Sequence, residues 1–223
     1  MAENSGGEVN PFADLLVFVN EAAAATEAIQ LLTMLHERVK PQEVKYPTIV
    51  SITSQGDLAT KFVLPVGQGA SLFKKDLRDY GGAYDADPFG VAKQRTYFLR
   101  SATHIPQLQS HVVGNSPDIL AAYRLRGYTC ATIQTPAGKQ SYYVVPILGA
   151  KNDTPYWVME MPVEIVPDHS NIFRVQFGAL LQAFVLRQSQ VDETQIPDPA
   201  HCYGDTGAPR FNMRLMRSKI LVR

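Results

Sequence analysis

Two apolar runs are continuous rather than alternating: ADLLVFVN at 13–20 and TIVSITS at 48–54. A strand that is apolar at successive positions buries both faces, which is the situation inside a parallel sheet. Between them, EAAAATEAIQLLTMLHERV (21–39) reads as a helix, with Ile29, Leu32 and Leu35 spaced by three and Pro41 as its stop. A second helix-like stretch, LATKFVLPVGQ, follows the second run and is shortened or kinked by Pro65. Strand, helix, strand, helix in this order implies βαβ units with right-handed crossovers.

The rest of the chain is less regular. Residues from about 70 to 128 include DYGGAYDADPFG and read as an irregular, lid-like insertion. YTCATIQTPAGKQSYYVVPIL (128–148) reads as a β-hairpin turning near Pro136, Ala137 and Gly138. TPYWVMEMPVEIVPDHSNIF (154–173) reads as a strand ending in a polar turn, and RVQFGALLQAFVLRQS as an amphipathic helix. The expected organisation is a polar segment at 1–12, an α/β domain at 13–190 with its insertion, and a Pro-rich, then basic tail at 191–223. The expected fold class is α/β, with a mainly parallel sheet flanked by helices.

Charge narrows the function. Twenty-one basic residues balance 21 acidic ones among 223, so no overall field draws the chain to nucleic acid or acidic membranes. The closing RFNMRLMRSKILVR is locally basic and reads as a solvated tail or helix face. No apolar run approaches the length of a spanning helix, and MAENSGGEVN lacks the pattern of a secretory signal. Cys130 and Cys202 stand far apart with no second Cys or paired His nearby, which predicts unpaired thiols and a cytoplasmic location.

Two polar residues lie just beyond predicted core strands: Asp57 after TIVSITSQG and His169 after VMEMPVEIVPD. In open α/β sheets chemistry collects at the carboxyl ends of strands, where loops hold functional groups on a rigid base. An acid followed later by a histidine matches the order in which a hydrolase triad places its second and third members. Asp57 also reads as a helix N-cap for LATKF, and His169 as a turn or helix-start residue. Asp168, adjacent to His169, reads as a turn residue, because neighbouring side chains rarely meet in triad geometry.

The motifs S-x-x-D-x-A-T at 54–60 and D-H-S-x-I-F at 168–173 carry a resemblance. With the strand at 13–20, they resemble the later half of poorly characterised, mostly microbial α/β-hydrolase-fold proteins, over roughly residues 13–67 and 128–185. The resemblance implies Asp57 as triad acid, His169 as triad base, and a small ester or lipid-like substrate. It also implies a nucleophile elbow of the form His-Ser-Phe-Gly-Gly upstream, and no G-x-S-x-G occurs in this chain. Ser5, in ENSGGEV, lacks the strand before it and the helix after it that an elbow needs. The chain is therefore expected to be a carboxyl-terminal portion, inactive alone, that self-associates or joins a missing amino-terminal half. The competing reading is a non-catalytic binding or structural module on the same scaffold.

No cofactor is expected: GQGAS at 67–71 lacks the Lys of a phosphate loop, and AYDADPFG lacks calcium-loop spacing. His104 and His111 are a weak metal pair, His36 reads as surface, His201 lacks companion ligands, and Tyr156 and Trp157 read as packing.

Overall fold

A computed structural model describes residues 15–20, 25–38, 46–63, 101–172, 174–188 and 198–204. The apolar runs become strands β1 (Leu16–Val19) and β2 (Ile49–Ser54), with helix α1 (Ala25–Arg38) between them. After a π-turn at Ala59–Val63 and two 3-10 turns at Ala102–His104 and Pro106–Leu108 come β3 (His111–Gly114) and α2 (Pro117–Arg126). The hairpin β4 (Thr129–Thr135) and β5 (Gly138–Pro146) precedes β6 (Tyr156–Met161) and α3 (Val175–Gln188).

The strands form two sheets. β1, β2 and β6 are parallel with β2 central, Ile52 lying opposite both Val19 and Met159. β3, β5 and β4 are antiparallel with β5 central. The sheets meet where Ser110 N donates to the Val158 carbonyl at 2.9 Å and Val158 N donates to Ser110 Oγ at 3.0 Å. One apolar core spans the junction, with Val50, Ile52, Met159 and Met161 from the parallel side and Ala131, Ile133 and Val144 from the other. Trp157 sits at the seam, stacked on the His111 ring at 3.6 Å and edge-on to Tyr128 at 4.6 Å. The α/β class expected from sequence is the class observed.

Two expectations change. Residues 101–128, read as part of an irregular excursion, contain β3, α2 and fully buried Ile105, Leu108 and Tyr123. Their short elements hide an apolar pattern too brief to show periodicity. Cys130 and Cys202, read as separate thiols, form a disulfide across 72 residues. The segment around Cys202 is drawn onto β4 by hydrogen bonds from Thr132 N to the Tyr203 carbonyl and from Tyr203 N to the Cys130 carbonyl. Chain separation concealed a pairing that the fold creates. Among the described residues no helix is long and apolar enough to cross a membrane.

Candidate acid–base site at the strand ends

The parallel register brings the ends of β1, β2 and β6 together, and the site is built on them. β2 ends in a tight turn in which Asp57 N donates to the Ser54 carbonyl at 3.0 Å. Gly56 is required there, because a Cβ would lie 2.1 Å from the Pro167 carbonyl oxygen. That close approach seats the loop after β6 directly against the Asp57 turn.

The same loop is held by its carbonyls. Ser54 Oγ donates to the Val166 carbonyl, and Asn20 Nδ2 donates to the carbonyls of Asp168 and His169, each at 3.1 Å. Asn20 Oδ1 accepts from Ser54 N at 3.0 Å, so one buried amide ties together the ends of β1 and β2 and the His169 loop. Its φ of 50° lies in the left-handed region, which Asn tolerates better than most side chains. Ile165 and Val166 anchor the loop from below, both fully buried.

These constraints bring Asp57 and His169 together across 112 residues, with His169 Nδ1 3.1 Å from Asp57 Oδ2. The Asp57 side chain is fully buried, whereas that of His169 is 44% exposed. The two carboxylate oxygens of Asp57 face different partners. Oδ1 caps the π-turn, accepting from Ala59 N at 3.0 Å and Thr60 N at 3.1 Å, while Oδ2 faces His169 and the Thr60 hydroxyl. Burial pushes the Asp57 carboxyl up, but hydrogen bonds from His169 and Thr60 outweigh it and hold the group below the ordinary carboxylate value. Asp57 is therefore an anion at neutral pH, and its Oδ2 is placed to accept a proton carried on His169 Nδ1. Among the described residues no side chain hydrogen-bonds to His169 Nε2, and Ser5 lies outside them.

Asp168 takes the turn role, its exposed carboxylate accepting from Ser170 N, Asn171 N and Asn171 Nδ2. The Ser54 and Thr53 hydroxyls bond elsewhere, to the Val166 carbonyl and to Thr103; the hydroxyl on the Asp57 carboxylate is that of Thr60. Thr60 Oγ1 also lies 2.8 Å from His104 Nε2, and His104 Nδ1 lies 3.0 Å from Glu160 Oε1. Hydroxyl, imidazole and carboxylate here repeat the layout of a hydrolase triad, but Thr60 is 1% exposed and no substrate can reach it.

The other histidines have structural surroundings. His111 is buried against Trp157, and desolvation pushes its pKa down to about 3, so it is neutral. Its Nδ1 lies 3.0 Å from Ser110 Oγ, whereas His104 is engaged with Thr60 and Glu160. His36 is exposed and paired with Asp153 at 3.1 Å, and His201 with Asp198 at 2.9 Å. Among the described residues no group of three His, Cys, Asp or Glu side chains could hold a metal ion. The GQGAS and AYDADPFG stretches, the basic tail and Pro65 lie outside the described residues.

Asn20, Gly56 and Thr60 are the contributors that sequence reasoning missed. Gly56 had a signal in the turn sequence SQGD; Asn20 closes a strand run with a residue suited to positive φ. No protein-family model, curated protein or solved structure matches this chain.

Proposed function

We propose that Asp57 and His169 are the acid and base of an α/β-hydrolase-like site that cleaves ester bonds through an acyl-enzyme. The observation that carries this reading is the buried, ionised Asp57 held 3.1 Å from Nδ1 of a half-exposed His169 at the carboxyl end of a parallel sheet. His169 Nε2 would take the nucleophile's proton and return it to the leaving alcohol. Leu58, Phe62 and Val63, all exposed beside Asp57, give an apolar rim suited to an acyl or lipid-like group.

The nucleophile belongs to a part of the fold outside the described residues. Among them, β1 pairs only with β2, and a strand from an amino-terminal half or from a second copy would add at its outer edge. The cytoplasmic expectation stands against the Cys130–Cys202 bridge, since such bonds persist in oxidising compartments. Counting free thiols in protein isolated without reductant decides between the two.

The test is hydrolysis of p-nitrophenyl acetate at neutral pH, a substrate activated enough to report a lone oriented imidazole. Slow wild-type turnover that is lost in both His169→Ala and Asp57→Asn is expected. Turnover indifferent to both substitutions overturns the acid–base reading. A fluorophosphonate probe should leave the purified chain unlabelled. Labelling that vanishes in His169→Ala would place a nucleophile inside this chain and correct that part of the proposal.

A further inference from the structure

Thr60 has one hydroxyl proton and two acceptors competing for it. Its Oγ1 lies 2.8 Å from Asp57 Oδ2 and 2.8 Å from His104 Nε2. The outcome depends on His104, whose side chain is 7% exposed and whose Nδ1 faces Glu160 Oε1 at 3.0 Å.

With Glu160 ionised, two arrangements satisfy every group. With His104 neutral, its proton must sit on Nδ1, because a bare Nδ1 against the Glu160 carboxylate would set acceptor against acceptor. Nε2 is then bare and accepts the Thr60 hydroxyl proton, leaving Asp57 Oδ2 to His169 alone. With His104 protonated, Nε2–H donates to Thr60 Oγ1, and the Thr60 hydroxyl turns to donate to Asp57 Oδ2. One proton on His104 thus rotates one buried hydroxyl and adds one donor to the carboxylate that serves His169.

We propose that Thr60 is a positioning residue that couples the charge of His104 to the basicity of His169 through the Asp57 carboxylate. This rests on Asp57 and His169 forming the acid–base pair proposed above. A carboxylate shared with Thr60 accepts less strongly from His169, so protonated His104 makes His169 a weaker base. Among the described residues, the charged groups facing this path are Glu160 from β6 and Asp57 from the end of β2. The α1 side chains packed with the His104 segment, Ala28, Ile29 and Leu32, are apolar. β2 adds only the neutral Thr53, which accepts from Thr103.

The experiment follows the imidazole nitrogens of His169 and His104 by long-range proton–nitrogen NMR through a pH titration of the full chain. In the wild type, His169 should show a second chemical-shift step at the pH where His104 titrates. Thr60→Val should lose that step and Thr60→Ser should keep it. Thr60→Ala also lacks the hydroxyl without crowding the carboxylate, so it must lose the step as well if the valine variant folds poorly. A single-step wild-type titration, or a second step that survives removal of the hydroxyl, overturns the proposal; the latter would be coupling through space alone. Asp57→Asn separates the two readings. If it leaves the His169 midpoint unmoved, the acid–base pair itself fails. If the midpoint moves while Thr60→Val retains the step, only the Thr60 inference fails.

Discussion

At the carboxyl end of the parallel sheet, Asn20, Ser54, Asp57 and Thr60 are all buried, each hydrogen-bonded to a neighbouring strand end or loop. The antiparallel sheet does something different with its interior. It is closed by the Cys130–Cys202 bridge and filled with rings, Tyr123 lying 4.9 Å from Tyr143. One region fixes directions, because hydrogen bonds from buried amides and hydroxyls tolerate little misplacement. The other fixes volume and connectivity, which set stability but orient no reacting group. The candidate site is found where directions are fixed.

Damage at the seam should not distinguish the two regions. Trp157→Ala removes the ring that both sheets pack against and should cost about 3–5 kcal/mol, read as one cooperative urea transition. Two separate transitions would break the picture of a shared core. Cys130→Ser with Cys202→Ser should cost about 4 kcal/mol, from the 72-residue separation and the chain-entropy account of cross-links. In the folded fraction, however, His169 nitrogen shifts should stay at their wild-type positions. Gly56→Ala should do the reverse. Its methyl meets the Pro167 carbonyl, so about 1–3 kcal/mol is expected together with clear displacement of the His169 signals.

A pH series sharpens the contrast further. His111 has its pKa pushed from 6.5 down to about 3 by burial. Between those values the unfolded chain binds a proton that the folded chain refuses. Stability is therefore full above about 6.5 and falls as the solution is acidified, by up to about 1.4 kcal/mol per pH unit from this group. Asp57, with its carboxyl held low, adds a loss of the same sign at lower pH. His111→Phe should flatten the upper part of this slope in denaturant titrations while leaving the lower part in place.

How much of this was legible in the sequence follows from the same contrast. Asp57 and His169 stood out because a polar residue just beyond an apolar strand is a local pattern, and β2 and β6 are strong strands. The hairpin was legible for the same reason, its Gly138 adopting the positive φ that the two-residue turn at Pro136 and Ala137 demands. Asn20 was not, since its partners are carbonyls 148 and 149 residues away. Thr60 looked like one more polar position on a short helix, and its link to His104 spans 44 residues through a stretch with no periodicity. The Cys130–Cys202 bridge depends on a short segment after α3 returning to β4, which nothing in the local pattern announces.

The central claim is that Asp57 presents His169 as an outward-facing base. Its most direct test is the tautomer of neutral His169, read from imidazole nitrogen shifts. The account predicts the proton on Nδ1 in the wild type and its transfer to Nε2 in Asp57→Asn, whose amide no longer requires a donor. A proton on Nε2 in the wild type, or the same tautomer in both proteins, would contradict it.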